Sequence, residues 1–409
     1  MAMDSIKQIP GGVCAPKGFK ANGVHCGLAK SLEKKDIALI YSDVPCNCAA
    51  TYTTNKVKAA PLAVTKEHLA NGKAQAIICN SGNANACNAD GYKVATRMTF
   101  LAASHLGLSQ DDVLVASTGV IGQPLNIHPI DACMESLVGG LNTNGSDLAC
   151  QAIMTTDTMK KEISVAFDIG GVECKMGAIA KGSGMIHPNM GTMLGFITTD
   201  AAISTDMLNM ALKMVVKDTF NMVSVDGDTS TNDMAILMAN GLANNPPIDG
   251  QSPDFDRFIK VLTYVCIYLA RVMARDGEGA TKLLECSVTG AVTEDTARVL
   301  AKAVITSSLF KAAMFGADAN WGRVLCAMGY SGAEFDPLKV EVRFASQDDG
   351  IIVCHDGVGV PFSEEKAKKI LSEEEIEIHI KLNQGSGEAV AWGCDLTYDY
   401  VKINGDYRS

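Results

Sequence analysis

The chain has 409 residues, 47% of them apolar, enough to bury large cores and to build two or three folding units. Its formal charge of -11, from 46 acidic and 35 basic side chains, supplies no basic field for a phosphate backbone; nucleic-acid binding is not expected, and small or weakly charged partners fit better. The opening MAMDSIKQIPGG lacks a cationic start followed by an apolar block, and the fourteen cysteines show no C-x-x-C pair, so neither a signal peptide, a zinc ribbon nor a disulfide framework is expected and the composition points to the reducing cytoplasm.

In chain order, DIALIYSD (36–43), ATYTT (50–54), AQAIICN (74–80) and VLVAST (113–118) read as strands, and 91–106 and 128–139 carry helical periodicity. The run 161–182 reads as a hairpin, since two alternating stretches flank Gly170-Gly171, the dipeptide suited to a tight primed turn. MLGFITT (193–199) is a further strand. A helix is expected from about Thr205 with Ser204 as N-cap, another from near Ser230, and a third over 253–276. Its apolar part, Val261 to Ala274, contains Arg271 and is too short to cross a bilayer, so it reads as a buried helix and no membrane association is expected. Beyond about residue 285 the order changes to a helix over 293–306, paired strands at KVEVRF and IIVCH, a charged helix over 363–372 and the alternating EEIEIHIKL, which together read as a smaller α+β unit. The class expected is α/β.

Several chemistries lack their residues. There is no phosphate-cradling glycine loop after a strand, no H-E-x-x-H and no G-x-S-x-G, so nucleotide-binding, zinc-protease and serine-hydrolase readings have little support. DGDTSTND (226–233) starts like a calcium loop, but Thr231 stands where the sharp turn needs Gly and Leu237 where a bidentate Glu is needed. An acidic loop capping the next helix is the simpler reading. His187 precedes Pro188, is expected to be extended, and reads as a packing or positional residue.

Gly191-Thr192, inside HPNMGTMLGF, can be a plain turn or a bond the protein breaks. Gly191 removes the steric bar to attack by the Thr192 hydroxyl on the carbonyl before it; hydrolysis of the resulting ester would leave Thr192 with a free α-amine, whose ordinary pKa of about 7.7–8.0 suits it to accept the hydroxyl proton. One residue then supplies nucleophile and base. By itself the dipeptide is too common to decide the matter.

The surroundings are less common. GGVCAPKGFKANGVHCGLA (11–29), NSGNANAC (80–87), STGVIG (117–122), AIMTTDT (152–158), AKGSGMIHPNMGTMLGFITTDA (180–201), SVDGDTSTND (224–233), GEGATK (277–282), FGADANWGR (315–323) and the final YVKINGDYRS appear in this order, and the chain resembles nearly end to end the ArgJ family of arginine biosynthesis, the bifunctional ornithine acetyltransferases / glutamate N-acetyltransferases. The resemblance implies an αββα sandwich with a second, smaller α/β domain. It also implies self-cleavage into an α chain (1–191) and a β chain (192–409), an α2β2 heterotetramer, and ping-pong transfer of acetyl from N-acetylornithine to glutamate through acetyl-Thr192. By that likeness Thr118 and Gly119 form the oxyanion hole, and Thr155, Lys181, Thr192, Glu278, Asn404 and Ser409 bind substrate. No metal or organic cofactor is implied, and acetyl-CoA stays open as a second acetyl donor. Two departures stand out: Gly191 replaces the usual Ala before the nucleophile, which would slow cleavage, and Ser409 replaces the usual terminal Thr, keeping the hydroxyl. The alternative is an N-terminal-nucleophile aminopeptidase of the same superfamily, in which water resolves the acyl-enzyme. An unprocessed protein that binds acylated amino acids is a third reading, and it would need neither Gly191-Thr192 nor the STGVIG turn.

Overall fold

In a computed structural model of the chain, which describes residues 6–29, 31–187 and 193–405, two compact units are present. The first comprises residues up to 182, 188–217 and 229–269; the second comprises 183–187, 218–228 and 270–409. The smaller unit expected from about residue 285 thus starts earlier and takes in two short segments from the middle of the chain.

A nine-stranded mixed sheet organises the first unit. Its order is Lys7–Gln8, Lys161–Ile169, Val172–Lys181, Leu194–Thr199, Met234–Ala239, Ile37–Tyr52, Lys73–Asn80 and Val113–Ser117, with Phe19–Val24 also paired to Ile37–Tyr52. Alternate residues of these strands feed two cores. Ala38, Ile40, Ile77, Cys79, Leu114 and Ala116 pack with the helix Ser146–Ile153 on one face, while Ile37, Leu39, Ile78, Val113 and Val115 pack with Met98, Leu101 and Met134 on the other. A sheet covered on both faces has no solvent side, which is why its strands read as continuous apolar runs. The hairpin forms as expected: Lys161–Ile169 and Val172–Lys181 pair through Gly170 and Gly171, both at positive φ (59° and 84°), the backbone region that glycine enters without penalty.

The helix expected near Ser230 does not form. Residues 234–239 are a fully buried strand, parallel to Leu194–Thr199 and antiparallel to Ile37–Tyr52. Ala, Leu and Met are good helix formers, but two strand neighbours far away in sequence override the local preference. Other expected elements are present: helices Gly91–Leu106 and His128–Gly139, and Thr205–Asp218 with the Ser204 hydroxyl accepting from Met207 N–H at 3.4 Å.

The second unit carries a seven-stranded sheet in the order Val358–Gly359, Asp349–His355, Glu341–Ser346, Glu375–Lys381, Leu283–Ala291, Gly387–Cys394 and Val223–Ser224. Helices Glu294–Thr306 and Glu364–Leu371 pack against it, capped by the hydroxyls of Thr293 and Ser363. The helix Pro253–Arg275 buries Leu262, Val265, Cys266, Leu269 and Ala270 completely, and Arg271 reaches Glu285 and Glu375 instead of the core. Among the described residues no helix is long and apolar enough to cross a membrane. Ten of the fourteen cysteines are buried and all are free, the behaviour of small core fillers.

Candidate functional site

The turn Thr118–Gly119 leaves the sheet at the end of Val113–Ser117, beside the parallel end of Lys73–Asn80. The NSGNANAC segment clasps it. Thr118 N–H donates to the Asn80 carbonyl at 3.0 Å, the Ser117 hydroxyl to Asn80 Oδ1 at 2.6 Å, Asn80 Nδ2 to the Asn83 carbonyl at 2.9 Å and Asn83 Nδ2 to the Gln123 carbonyl at 3.0 Å. Gly119 sits at φ +132°, and a Cβ there would lie 2.3 Å from the Gly82 carbonyl carbon, so only glycine lets the two backbones approach. Among the described residues neither the Thr118 hydroxyl nor the Gly119 N–H has an acceptor, and Thr118 is buried. Two fixed donors with no acceptor among the described residues are what an oxyanion requires.

Asn232 connects this turn to the strand that follows Thr192. Its Nδ2 donates to the Ser117 carbonyl at 2.8 Å and to the Ala84 carbonyl at 2.6 Å. Two residues later, Met234 pairs with Leu194 and its N–H donates to the Met193 carbonyl at 2.9 Å. One amide side chain therefore ties the donor turn to the head of Leu194–Thr199. Gly191 and Thr192, the expected cleavage site and nucleophile, lie outside the described residues, as does Ser409.

On the other edge of that strand, Lys181 pairs with Leu194. Lys181 is buried, and its ammonium forms no hydrogen bond among the described residues. Its charge acts on Asp157, whose carboxylate takes Lys161 Nζ and Gly182 N–H on one oxygen, each at 2.7 Å, and Thr155 N–H on the other at 2.9 Å. Burial would raise the Asp157 pKa; the charges of Lys181 and Lys161 outweigh it and hold the carboxyl below its ordinary range. Thr155 and Thr156 lie in a bend between Ser146–Ile153 and Lys161–Ile169, so the strand alternation expected to separate their side chains does not apply. Lys34 Nζ donates to the Thr155 carbonyl at 2.9 Å, and burial lowers its pKa. The first unit thus brings Thr155 and Lys181 together around Asp157, a residue that the sequence alone did not single out. Lys161, four residues after Asp157, was the available signal, but an i,i+4 pair more often marks an exposed helix face. The amide tie through Asn232 had no local signal.

In the second unit Glu278 is buried and accepts from Asn404 Nδ2 at 2.7 Å. Its N–H donates to the Ser183 carbonyl at 2.9 Å, and a Cβ on Gly184 would lie 2.3 Å from its carboxylate. The helix Tyr398–Gly405 that carries Asn404 is held by Asn404 Nδ2 to the Tyr400 carbonyl at 3.0 Å, and the Thr397 hydroxyl just before it bonds the Gly279 carbonyl at 2.6 Å. Among the described residues the last helix is tied to Glu278 through Asn404 and to Gly279 through Thr397. His187 Nδ1 meets the Ser224 hydroxyl at 3.0 Å; burial, reinforced by Lys302, pushes the ring pKa down to about 4, so it is neutral near pH 7. Among the described residues no group of three metal-ligating side chains is present.

Known proteins share this sequence over its length. The chain is 53% identical to the arginine biosynthesis bifunctional protein ArgJ 1 of Clostridium acetobutylicum, covering 96% of each chain. It is 50% identical to the arginine biosynthesis bifunctional protein ArgJ of Caldanaerobacter subterraneus, over 98% of this chain and 99% of that one. Among solved structures it is similar to the bifunctional protein argJ of Bacillus halodurans, with 46% identity, 51% of this chain and 97% of that one covered, and a TM-score of 0.49. It is also similar to the ornithine acetyltransferase of Mycobacterium tuberculosis complexed with ornithine, with 33% identity, 45% and 99% covered, and a TM-score of 0.42. The ArgJ family model matches residues 20–409, and with that match and relatives at half identity over nearly the whole length, the chain belongs to the ArgJ family.

Proposed function

We propose that the protein is a self-cleaving acetyltransferase of arginine biosynthesis that moves acetyl from N-acetylornithine to glutamate through an ester on Thr192. Family membership supports the acetyltransferase class. One structural observation carries the mechanism: Thr118 and Gly119, whose donors have no acceptor among the described residues, are tied through Asn232 to the strand that begins two residues after Thr192.

In maturation, Thr192 Oγ adds to the Gly191 carbonyl, the C–N bond breaks as the ester forms, and water then splits the ester into the Gly191 carboxylate and a free Thr192 hydroxyl and α-amine. In turnover, that amine takes the hydroxyl proton as Oγ adds to the acetyl carbonyl, and Thr118 Oγ–H and Gly119 N–H hold the oxyanion. The proton passes to the leaving ornithine amine. The glutamate amine then attacks the acetyl ester, Oγ leaves with the returned proton, and N-acetylglutamate departs. In this reading Lys181 pairs with a substrate carboxylate while Asp157 fixes Lys161 and the Thr155 bend, and Glu278 with Asn404 engages the amino-acid end. The working form is an α2β2 assembly in the cytoplasm, needing no metal or organic cofactor.

Intact-mass measurement is expected to show pieces of 191 and 218 residues in place of one 43.1 kDa chain, and Thr192→Ala to stay whole and inactive. Thr118→Ala removes one oxyanion donor and is expected to lower kcat roughly 100- to 1000-fold, the effect of about 2.7–4 kcal/mol of barrier. A single uncut chain with full transfer would end this reading. Release of free acetate in place of N-acetylglutamate would identify the aminopeptidase-type hydrolase, and CoA release with glutamate alone would establish acetyl-CoA as a donor.

A further inference from the structure

The acidic loop 226–233 has an occupation that neither a helix cap nor acetyl transfer explains. Asp226 Oδ2 accepts from Met185 N–H at 2.6 Å and Oδ1 from Ile186 N–H at 2.9 Å. The next amide along the loop's own base, Val225 N–H, donates back to the Ile186 carbonyl at 2.7 Å, and Ser224 Oγ meets His187 Nδ1 at 3.0 Å. The loop springs from Val223–Ser224, a strand paired to Gly387–Cys394, and buried Lys311 donates to the Val225 carbonyl. A rigid base of this kind fixes whatever the carboxylate grips.

What it grips is a strained backbone. Met185 lies at φ +54°, in the left-handed region that a bulky residue occupies only when its surroundings over-determine it. Core packing is not what holds it, since Met185 is 42% exposed. The two charge-assisted hydrogen bonds that bracket it are. Residues 183–187 belong to the second unit, which is otherwise made of 218–228 and 270–409, all on the carboxyl side of Gly191-Thr192.

We propose that Asp226 is a positioning residue for self-cleavage, anchoring Met185 and Ile186 ahead of the Gly191-Thr192 link, and that afterwards it retains this stretch of the amino-terminal piece on the second unit. This rests on the self-cleavage reading. The carboxylate takes no part in bond breaking; it removes the freedom of the chain ahead of the bond, so that attack starts from one backbone path instead of many.

The test is a time course of cleavage after cell-free synthesis of the full chain, read by mass. Asp226→Asn, which keeps the shape and loses the charge, is expected to slow cleavage at least tenfold, and Asp226→Glu to recover most of the rate, while the thermal midpoints of the three proteins stay close. Equal rates for wild type and Asp226→Asn would overturn the inference alone; a wild-type chain that never cuts would overturn the self-cleavage reading with it. If Asp226→Asn fails to fold, hydrogen exchange on the matured wild-type protein decides: slow exchange at Met185 and Ile186 supports retention of the tail, and exchange at free-peptide rates overturns it.

Discussion

Two side chains, one a base and one an acid, each contribute to acid sensitivity. His187 is neutral in the fold because burial, and then Lys302, disfavour its cation. Its folded pKa of about 4 lies below the ordinary 6.5, so as pH falls the unfolded chain takes the proton first and stability declines between about 6.5 and about 4. The ceiling on that loss is about 3 kcal/mol, reduced for the part of the ring that water reaches. Asp157 adds a second, later loss: its folded pKa is depressed by Lys181 and Lys161 against the effect of burial, so its stabilisation is present above about 3.8 and disappears as pH falls below it. Urea unfolding at pH 7.5, 5.5 and 4.5 is expected to show the first decline, and His187→Asn to flatten it. A wild-type stability unchanged from 7.5 to 4.5 would contradict the buried neutral ring.

Between elements, the decisive bonds are those of Asn232. Two backbone carbonyls at opposite ends of the clasp, Ala84 and Ser117, depend on a single amide group at the entry to Met234–Ala239. Asn232→Ala leaves both without that donor, at roughly 1–3 kcal/mol each for a buried group. The expected kinetic signature is a fall in kcat of at least tenfold with KM changed less than threefold, because the donor turn moves relative to the strand after Thr192 while the Lys181 and Asp157 cluster stays in place. The same region shows where local reading fails. DMAILMA carries helix-favouring residues and no alternation, so nothing in it distinguishes a helix from a strand buried on both faces. By contrast the 161–182 hairpin was legible, because Gly170-Gly171 and two alternating runs agree on one turn. The helices over 293–306 and 363–372 were legible from their periodicity, and the structure adds the hydroxyls of Thr293 and Ser363 as their caps.

At the scale of the molecule, the expected cut divides the strands of one sheet between two pieces. Leu194–Thr199 lies between Val172–Lys181, from before the cut, and Met234–Ala239, from after it; Met234–Ala239 in turn pairs with Ile37–Tyr52, from before it. Strands from the two pieces interleave, so each piece leaves unpaired edges without the other. The matured pieces are therefore expected to elute together from a sizing column in buffer and to separate only in strong denaturant. Separate elution in buffer would contradict this pairing.

The residues themselves determined the α/β class, the hairpin, most helices and the Ser204 cap, and a chain of motifs specific enough to name a family, because turns, periodicity and short motifs are written in neighbouring residues. They also supplied Thr118, Gly119, Thr155, Lys181, Glu278 and Asn404 as candidates through that resemblance. Only the tertiary structure decided that residues 234–239 are a strand, that Asp157 sits between Lys161 and Lys181, that Asn232 spans the clasp and that Asp226 grips Met185 and Ile186. Each of these depends on partners brought together by strand pairing or loop closure over tens of residues, and the energy that selects them is that of buried charges and amides meeting their complements, which no local stretch of sequence contains.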